Sequence, residues 1–404
     1  MQWWIAAAGL ALLFLFFLST RKKTPLSRRE DLSEDALSSR MKALAGQEPR
    51  RRPARLLPSV FALRRLEKDV RFLDGLPEEA LVPASRRLCD NGRYLQEEAA
   101  SLRLALGRVR LTAFPGGESR IACFAREFLA HTAGELRISH LTEALTAWQE
   151  VQPFGEEELA VLPQALRGAL LLLLGELARS CVREQAARRQ ADRLCRLLEK
   201  GQERRAMALF RRCSQNGSFL ERLVARWRQG GFDEQLLWLE KLLDTQGRSA
   251  EEEAGREHLR QVDEARWAEN AVAALHAVER APWSRLVEEW SELHRLLCED
   301  DIYPRMDAES RAYYRRLAAR ISRDAAVSPR AVCDAALALA SASEASPLSH
   351  VGYYLADDGL AELIARLCPE RRFLPFRLFF RLHGAGFFGT LSGLFFVFLL
   401  AIAG

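Results

Sequence analysis

The chain has 404 residues, of which 49% are hydrophobic and 28% charged, so it can bury one large core or two smaller ones and is not a disordered polymer. Its net charge of +5 is not a nucleic-acid signature. Eleven basic and five acidic residues between Arg21 and Arg55 carry a surplus of six, which leaves the rest of the chain at −1. A basic stretch beside an apolar segment is a feature of membrane orientation and anionic-lipid attraction, and no nucleic-acid partner is expected.

The first predicted element is an apolar segment, residues 2–19, in which Gln2 to Leu18 carry no charge. At about 1.5 Å per residue such a helix reaches the thickness of a bilayer's hydrocarbon core. Trp3 and Trp4 stand at one edge and Arg21, Lys22 and Lys23 at the other. That order predicts an uncleaved transmembrane anchor with its N-terminus outside, because a cleaved signal carries its charges before the apolar run. Residues 20–58, rich in Ser, Pro, Arg and Glu, read as a basic juxtamembrane linker.

From 59 to 370, apolar residues recur every three and four positions, and no alternating run is long enough for a sheet. This predicts a helical cytoplasmic domain. Breaks are expected at Gly75 to Pro77, Pro115 to Gly117, Pro153 to Gly155, Gly230 and Gly231, Gly247, Pro282, Pro304 and Pro347. The run Gly168 to Gly175 stops at Glu176 and follows Arg167, so it is too short to span a membrane and is expected as a central core helix. Glu156, Glu157 and Glu158 are expected to meet the positive end of a helix dipole. Residues 384–404 are again uncharged and follow Arg371, Arg372, Arg377 and Arg381, which places residues 20–383 on the cytoplasmic side of the inner (plasma) membrane. The expected fold class is all-α: a multi-helix cytoplasmic domain flanked by an N-terminal and a C-terminal transmembrane helix.

The search for chemistry finds no P-loop, dinucleotide fingerprint, nucleophile elbow or HExxH motif. His294 and Cys298 lie four apart, with His276 as a conceivable third ligand, but no second paired motif completes a metal site, and ordinary packing is expected. Glu299, Asp300 and Asp301 read as a solvated helix end, and Asp307 as a helix cap ahead of Tyr313, Tyr314, Leu317 and Ile321 at helical spacing. The eight cysteines are scattered without a CxxC pair and are expected to be free thiols. No catalytic, cofactor-binding or metal-ligating residue is assigned, and no cofactor is expected in this chain.

Several short segments carry a resemblance when taken together in order. They are Leu88-Cys89-Asp90-Asn91, Arg126 to Thr132, Gln152-Pro153, Trp238-Leu239-Glu240, Glu257-His258-Leu259-Arg260-Gln261, Asn270, Trp283, Tyr303 with Met306-Asp307, Arg311 and Tyr314-Arg315, and His350-Val351-Gly352-Tyr353-Tyr354-Leu355. In this order the chain resembles the region that precedes the glycosyltransferase domain in the cyclic β-1,2-glucan synthase family. Ala308, Ser310 and Glu269 depart from the family pattern and mark a divergent member.

The resemblance implies a helical module beside a transferase that polymerises glucose from UDP-glucose. The catalytic acids and the QxxRW-like motif of that transferase are not within residues 1–404, since Gln261 to Trp267 has the wrong spacing and lies in a helical segment. Whether the chain is itself an enzyme is left open at this stage. The expected role is support of glucan synthesis, as a fragment or subunit, with a transferase domain and the membrane as partners. The competing expectation is a free-standing membrane-tethered scaffold for protein–protein interaction. Asn270, Tyr303, Asp307, Arg311, Tyr314, His350, Tyr353 and Tyr354 are the candidate interaction face, because tyrosine suits a surface that is apolar on one side and wet on the other.

Overall fold

The computed structural model describes residues 31–48, 50–54, 60–105, 111–114, 117–343 and 347–369. Most of them lie in helices, several of which stop at or near a glycine or proline. In chain order these are α1 (Glu34–Ala45), α2 (Val60–Asp74), α3 (Pro83–Asp90), α4 (Gly92–Ala105), α5 (Arg120–Ala130), α6 (Ile138–Gln149), α7 (Glu156–Ala160) and α8 (Leu162–Glu199). They continue with α9 (Glu203–Cys213), α10 (Gly217–Gly230), α11 (Asp233–Asp244), α12 (Ala250–Arg280), α13 (Trp283–Trp290), α14 (Glu292–Leu297), α15 (Ala308–Ala325), α16 (Pro329–Ser341), α17 (Val351–Ala356) and α18 (Leu360–Leu367). Pro83 and Pro329 open their helices, where a missing N–H costs nothing. Gly231 ends α10 in the left-handed conformation at φ 68°.

Two corrections to the expected fold follow. The first concerns its flanks: among the described residues no helix is long and apolar enough to cross a membrane. Residues 2–19 and 384–404, on which that expectation rested, lie outside the described residues. The longest described helix, α8, has 38 residues and a length of about 57 Å, but beyond Glu176 it carries Arg179, Arg183, Glu184, Arg188 and Arg189.

The second correction is a short antiparallel ribbon within the helical architecture. Strand β1 (Arg50–Ala54) pairs with β2 (Leu111–Ala113), with Pro53 opposite Thr112 and an irregularity between Arg50 and Pro53. The sequence RRRPA has no apolar alternation to announce a strand, and a proline is tolerated where the ribbon has free edges.

The segment read as a linker also contributes packed structure. In α1, Leu37, Met41 and Leu44 recur on one face and are buried in the core. Arg40 on the same helix reaches Glu127 of α5 at 3.0 Å.

Three hydrophobic cores result. The first gathers α1 to α6, the N-terminal half of α8, the C-terminal half of α12 and α13. There Trp148 stacks on Phe154 at 5.1 Å, and Phe124 meets the indole edge-on at 5.6 Å. The run Gly168 to Gly175 is buried here almost throughout, as its lack of charge led us to expect. The second core combines the end of α8 with α9, α10, α11 and the first residue of α12. The third is built by α14 to α18. Since the two ends of α8 meet opposite ends of α12, these long helices run antiparallel as a spine shared by the first two cores.

A polar belt separates those cores. Arg260 of α12 bonds Glu257, Glu264 and Ser180, and reaches Glu184 at 2.9 Å. Gln261 donates to Glu184 at 2.9 Å, and Ser218 of α10 donates to Glu257 at 2.6 Å. Arg188 lies 3.3 Å from Glu184 and 3.2 Å from Glu221. Four carboxylates thus face two guanidiniums. Burial pushes the Glu184 carboxyl up from its ordinary 4.5 to about 6, against the pull of Arg188 and Arg260 and with Glu257 adding to the rise.

Because its folded-state pKa is raised, Glu184 favours the fold in its protonated form. That contribution is complete below pH 4.5 and is lost as pH rises through about 6. The stability of the wild type relative to Glu184→Gln is therefore expected to fall by about 2 kcal/mol across that window. Urea unfolding of both proteins at its two ends measures the change, and a gap that does not move with pH contradicts the assignment.

Candidate functional site

The third core begins on α14, which runs out at Leu297. The next residues, Glu299, Asp300 and Asp301, do not form the solvated acidic end expected from their composition. Glu299 and Asp301 are exposed, but Asp300 is 6% exposed. Its Oδ1 accepts the N–H groups of Ile302 at 3.0 Å and Tyr303 at 2.8 Å, which starts the short turn Tyr303–Arg305. The same carboxylate reaches fifty residues along the chain, where Oδ1 meets His350 Nδ1 at 2.9 Å and Oδ2 accepts the N–H of Val351 at 3.0 Å. Asp300 therefore determines both the exit from α14 and the start of α17. Burial works against its charge, but His350 and the N–H groups of Tyr303, Val351 and Ile302 outweigh that and hold it below the usual aspartate range.

Behind Asp300 sits a second group of buried charges. The Arg315 side chain is only 3% exposed and lies 3.3 Å from Glu156 of α7 and 3.0 Å from Glu288 of α13. Arg311, one turn earlier on α15, holds Glu288 through two bonds of 3.0 and 2.9 Å. Ser291 also donates to Glu156. Burial raises the Glu156 carboxyl, whereas at Glu288 the two arginines overcome burial and lower it. Of the three glutamates expected to decorate a helix start, Glu156 and Glu158 are buried and Glu157 forms an exposed pair with Arg323. The cluster joins the third core to the first.

The eight candidate interaction residues separate within this arrangement. Tyr303 is fully buried, with its hydroxyl 3.2 Å from Arg315 and 3.1 Å from His294 Nδ1, and burial pushes its phenol up to about 12. Tyr354 is buried too and its hydroxyl donates to the Leu339 carbonyl at 3.3 Å. Asp307 caps α15 by accepting the Ser310 N–H at 2.9 Å, as its position suggested. Arg311 is committed to Glu288. Asn270 belongs to the first core, where it donates to the carbonyl of Ala133, a residue held at φ 49°.

Tyr314, His350 and Tyr353 remain half-buried at the rim. The rings of Tyr314 and His350 meet edge-on at 5.7 Å. A Cβ at Gly352 would lie 2.5 Å from His350 Nε2 and 2.8 Å from the Tyr314 hydroxyl. That contact explains the glycine inside His350-Val351-Gly352-Tyr353-Tyr354-Leu355.

His294 Nε2 lies 3.6 Å from Cys298 Sγ, but His276 is stacked on Tyr94 at 4.3 Å in the first core and is not brought to them. Among the described residues no group of three or more His, Cys, Asp or Glu is placed to hold a metal ion. All eight cysteines are free. The rejected pair Gln261 and Trp267 sits within α12, with Gln261 bonded to Glu184 and Trp267 buried.

Sequence reasoning did not single out Asp300, Glu156, Glu288 or Arg315 as a set. Their partners come from up to 159 residues away, and no local spacing signals such pairings.

No family model matches the chain. It is 25% identical over 299 residues to the cyclic β-(1,2)-glucan synthase NdvB of Rhizobium meliloti (strain 1021), a match that covers 68% of this chain and 10% of that protein. The relationship is distant, and the chain spans about a tenth of the length of the curated relative it matches.

Two substitutions test the site. Arg315→Ala leaves Glu156 without its cation and is expected to cost about 3 kcal/mol, whereas Arg316→Ala, on the exposed side of the same helix, changes stability by less than about 0.5 kcal/mol. Gly352→Ala drives a methyl group into a histidine pinned by Asp300 and is expected to cost about 1–3 kcal/mol. Urea unfolding checks both, and a neutral Gly352→Ala would mean that the His350 ring is free to swing aside.

Proposed function

We propose that this chain is a helical support module for a glycosyltransferase that makes a β-1,2-linked glucan. In this reading it positions or stabilises the transferase and does not perform the transfer. The observation that carries the proposal is the distant relationship to a cyclic β-(1,2)-glucan synthase over 68% of the chain.

The chemistry of the third core agrees with a supporting role. Asp300, Glu288, Arg311 and Arg315 are engaged by internal partners, so their charges are used in holding helices together. A group that must attack, protonate or bind a sugar diphosphate needs an unengaged atom facing a substrate. The rim of Tyr314, His350 and Tyr353 is the part of the candidate face left for contact with a transferase.

The test is purification of the tagged chain from its native cells under mild conditions, followed by identification of co-purifying polypeptides and assay with UDP-glucose. The expected result is recovery of a transferase-bearing polypeptide whose β-1,2-glucan synthesis requires this chain. Recovery of unrelated proteins with glucan synthesis unchanged on deletion of the chain would put a free-standing scaffold in its place.

A further inference from the structure

The second core opens at its surface into a cleft of about 360 Å³ between α8, α9, α10 and α11. This lies near the lower end of the roughly 300–1,000 Å³ typical of small-molecule sites. Its floor is aromatic: Phe210 and Trp227 are each 3% exposed. Trp238 stands at the mouth, 38% exposed, and is held by the edge of Phe210 at 5.4 Å. An exposed indole fixed by its neighbour is a rigid flat platform, and binding to it orders little side chain.

Leu194, Leu198, Ala206 and Met207 complete the apolar wall, and three polar residues border it. Glu203 from the start of α9 and Glu234 and Gln235 from the start of α11 all border the cleft. None of their three head groups is engaged by another described residue. Carboxylates only accept hydrogen bonds, and the amide can both accept and donate. The matching ligand has flat C–H faces for the indole and several hydroxyl donors for the carboxylates. A saccharide meets both requirements, while a purely apolar helix would leave the carboxylates desolvated and unpaired.

We propose that this cleft binds a short stretch of glucan, with Trp238 stacking against a pyranose face and Glu203, Glu234 and Gln235 accepting its hydroxyls. The choice of glucan rests on the transferase reading above, whereas the saccharide chemistry rests on the cleft itself. Trp238 belongs to one of the segments that carried the sequence resemblance, and the third core makes no use of it. The site would hold product near the transferase.

Calorimetric titration of the full chain with β-1,2-linked gluco-oligosaccharides tests the proposal, with tetramethylammonium as a second probe, because indole and carboxylates also suit a cation. Saturable oligosaccharide binding is expected, weakened about tenfold or more by Trp238→Ala and by Glu234→Gln, with the far-ultraviolet circular dichroism of both variants unchanged. Both side chains are exposed, so neither change should disturb the core. No heat at millimolar oligosaccharide, binding that survives both substitutions, or binding of tetramethylammonium alone would overturn the assignment. Oligosaccharide binding without a co-purifying transferase would sink the transferase reading and leave the cleft standing, and the reverse pair of results would do the opposite.

Discussion

Arg315 places a guanidinium where its side chain is only 3% exposed, between Glu156 and Glu288. A charge so far from water is tolerable only if its partners are held at bonding distance, and removing one partner leaves an uncompensated buried ion. The helices that carry the three residues, α7, α13 and α15, are therefore fastened to one another by position as well as by area. The same logic applies at Arg120, which bonds the carbonyls of Gln152 and Pro153 and lies 3.5 Å from Glu158, while the more exposed Arg260 ties α8 to α12 through the buried Glu184. Such ties contribute modest net stability, since desolvation offsets much of the attraction. Their effect is to select one packing of amphipathic helices from the many that would bury similar apolar surface.

This arrangement separates two kinds of polar group. Those of the belt and of the third core are engaged by partners within the chain, and their pKa displacements follow from burial and from that pairing. Those at the mouth of the second core are unengaged and stand beside an exposed indole. Internal pairing suits a group that holds architecture, and unengaged acceptors suit a group that meets a ligand.

Much of the helical framework was legible residue by residue. Gly75, Gly231, Gly247 and Pro282 each lie at a helix end, because local backbone restrictions act whatever surrounds them. Gly168 to Gly175 announced a central helix because a run without charge has no face to give to water. The candidate site was less legible. Asp307 was identified from its position before a helix, a purely local signal. Asp300 has the same composition around it as a solvated helix end, and only its contact with Val351 and His350 distinguishes it. Tyr303 and Tyr354 were chosen as surface aromatics, yet tyrosine is equally suited to a buried position with its hydroxyl bonded. Asn270 is bonded within the first core. The helix α1 and the ribbon of β1 and β2 escaped notice because a short amphipathic turn and a proline-containing strand give weak periodic signals.

By itself the sequence determined several of the points where helices stop, which stretch is apolar on all sides, that no familiar catalytic motif is present, and which ordered segments resemble a glucan synthase region. All of these depend on backbone restrictions and on neighbours a few residues away. Only the tertiary structure decided which charges are buried, which carboxylate meets which arginine, that the motif at His350 is clamped by Asp300, and that Trp238 overlooks a cleft with unengaged acceptors. Those outcomes depend on groups brought together from 23 to 159 residues apart. At such separations the protonation of a carboxylate and the exposure of a ring are set by the packing of whole helices, which local spacing does not encode.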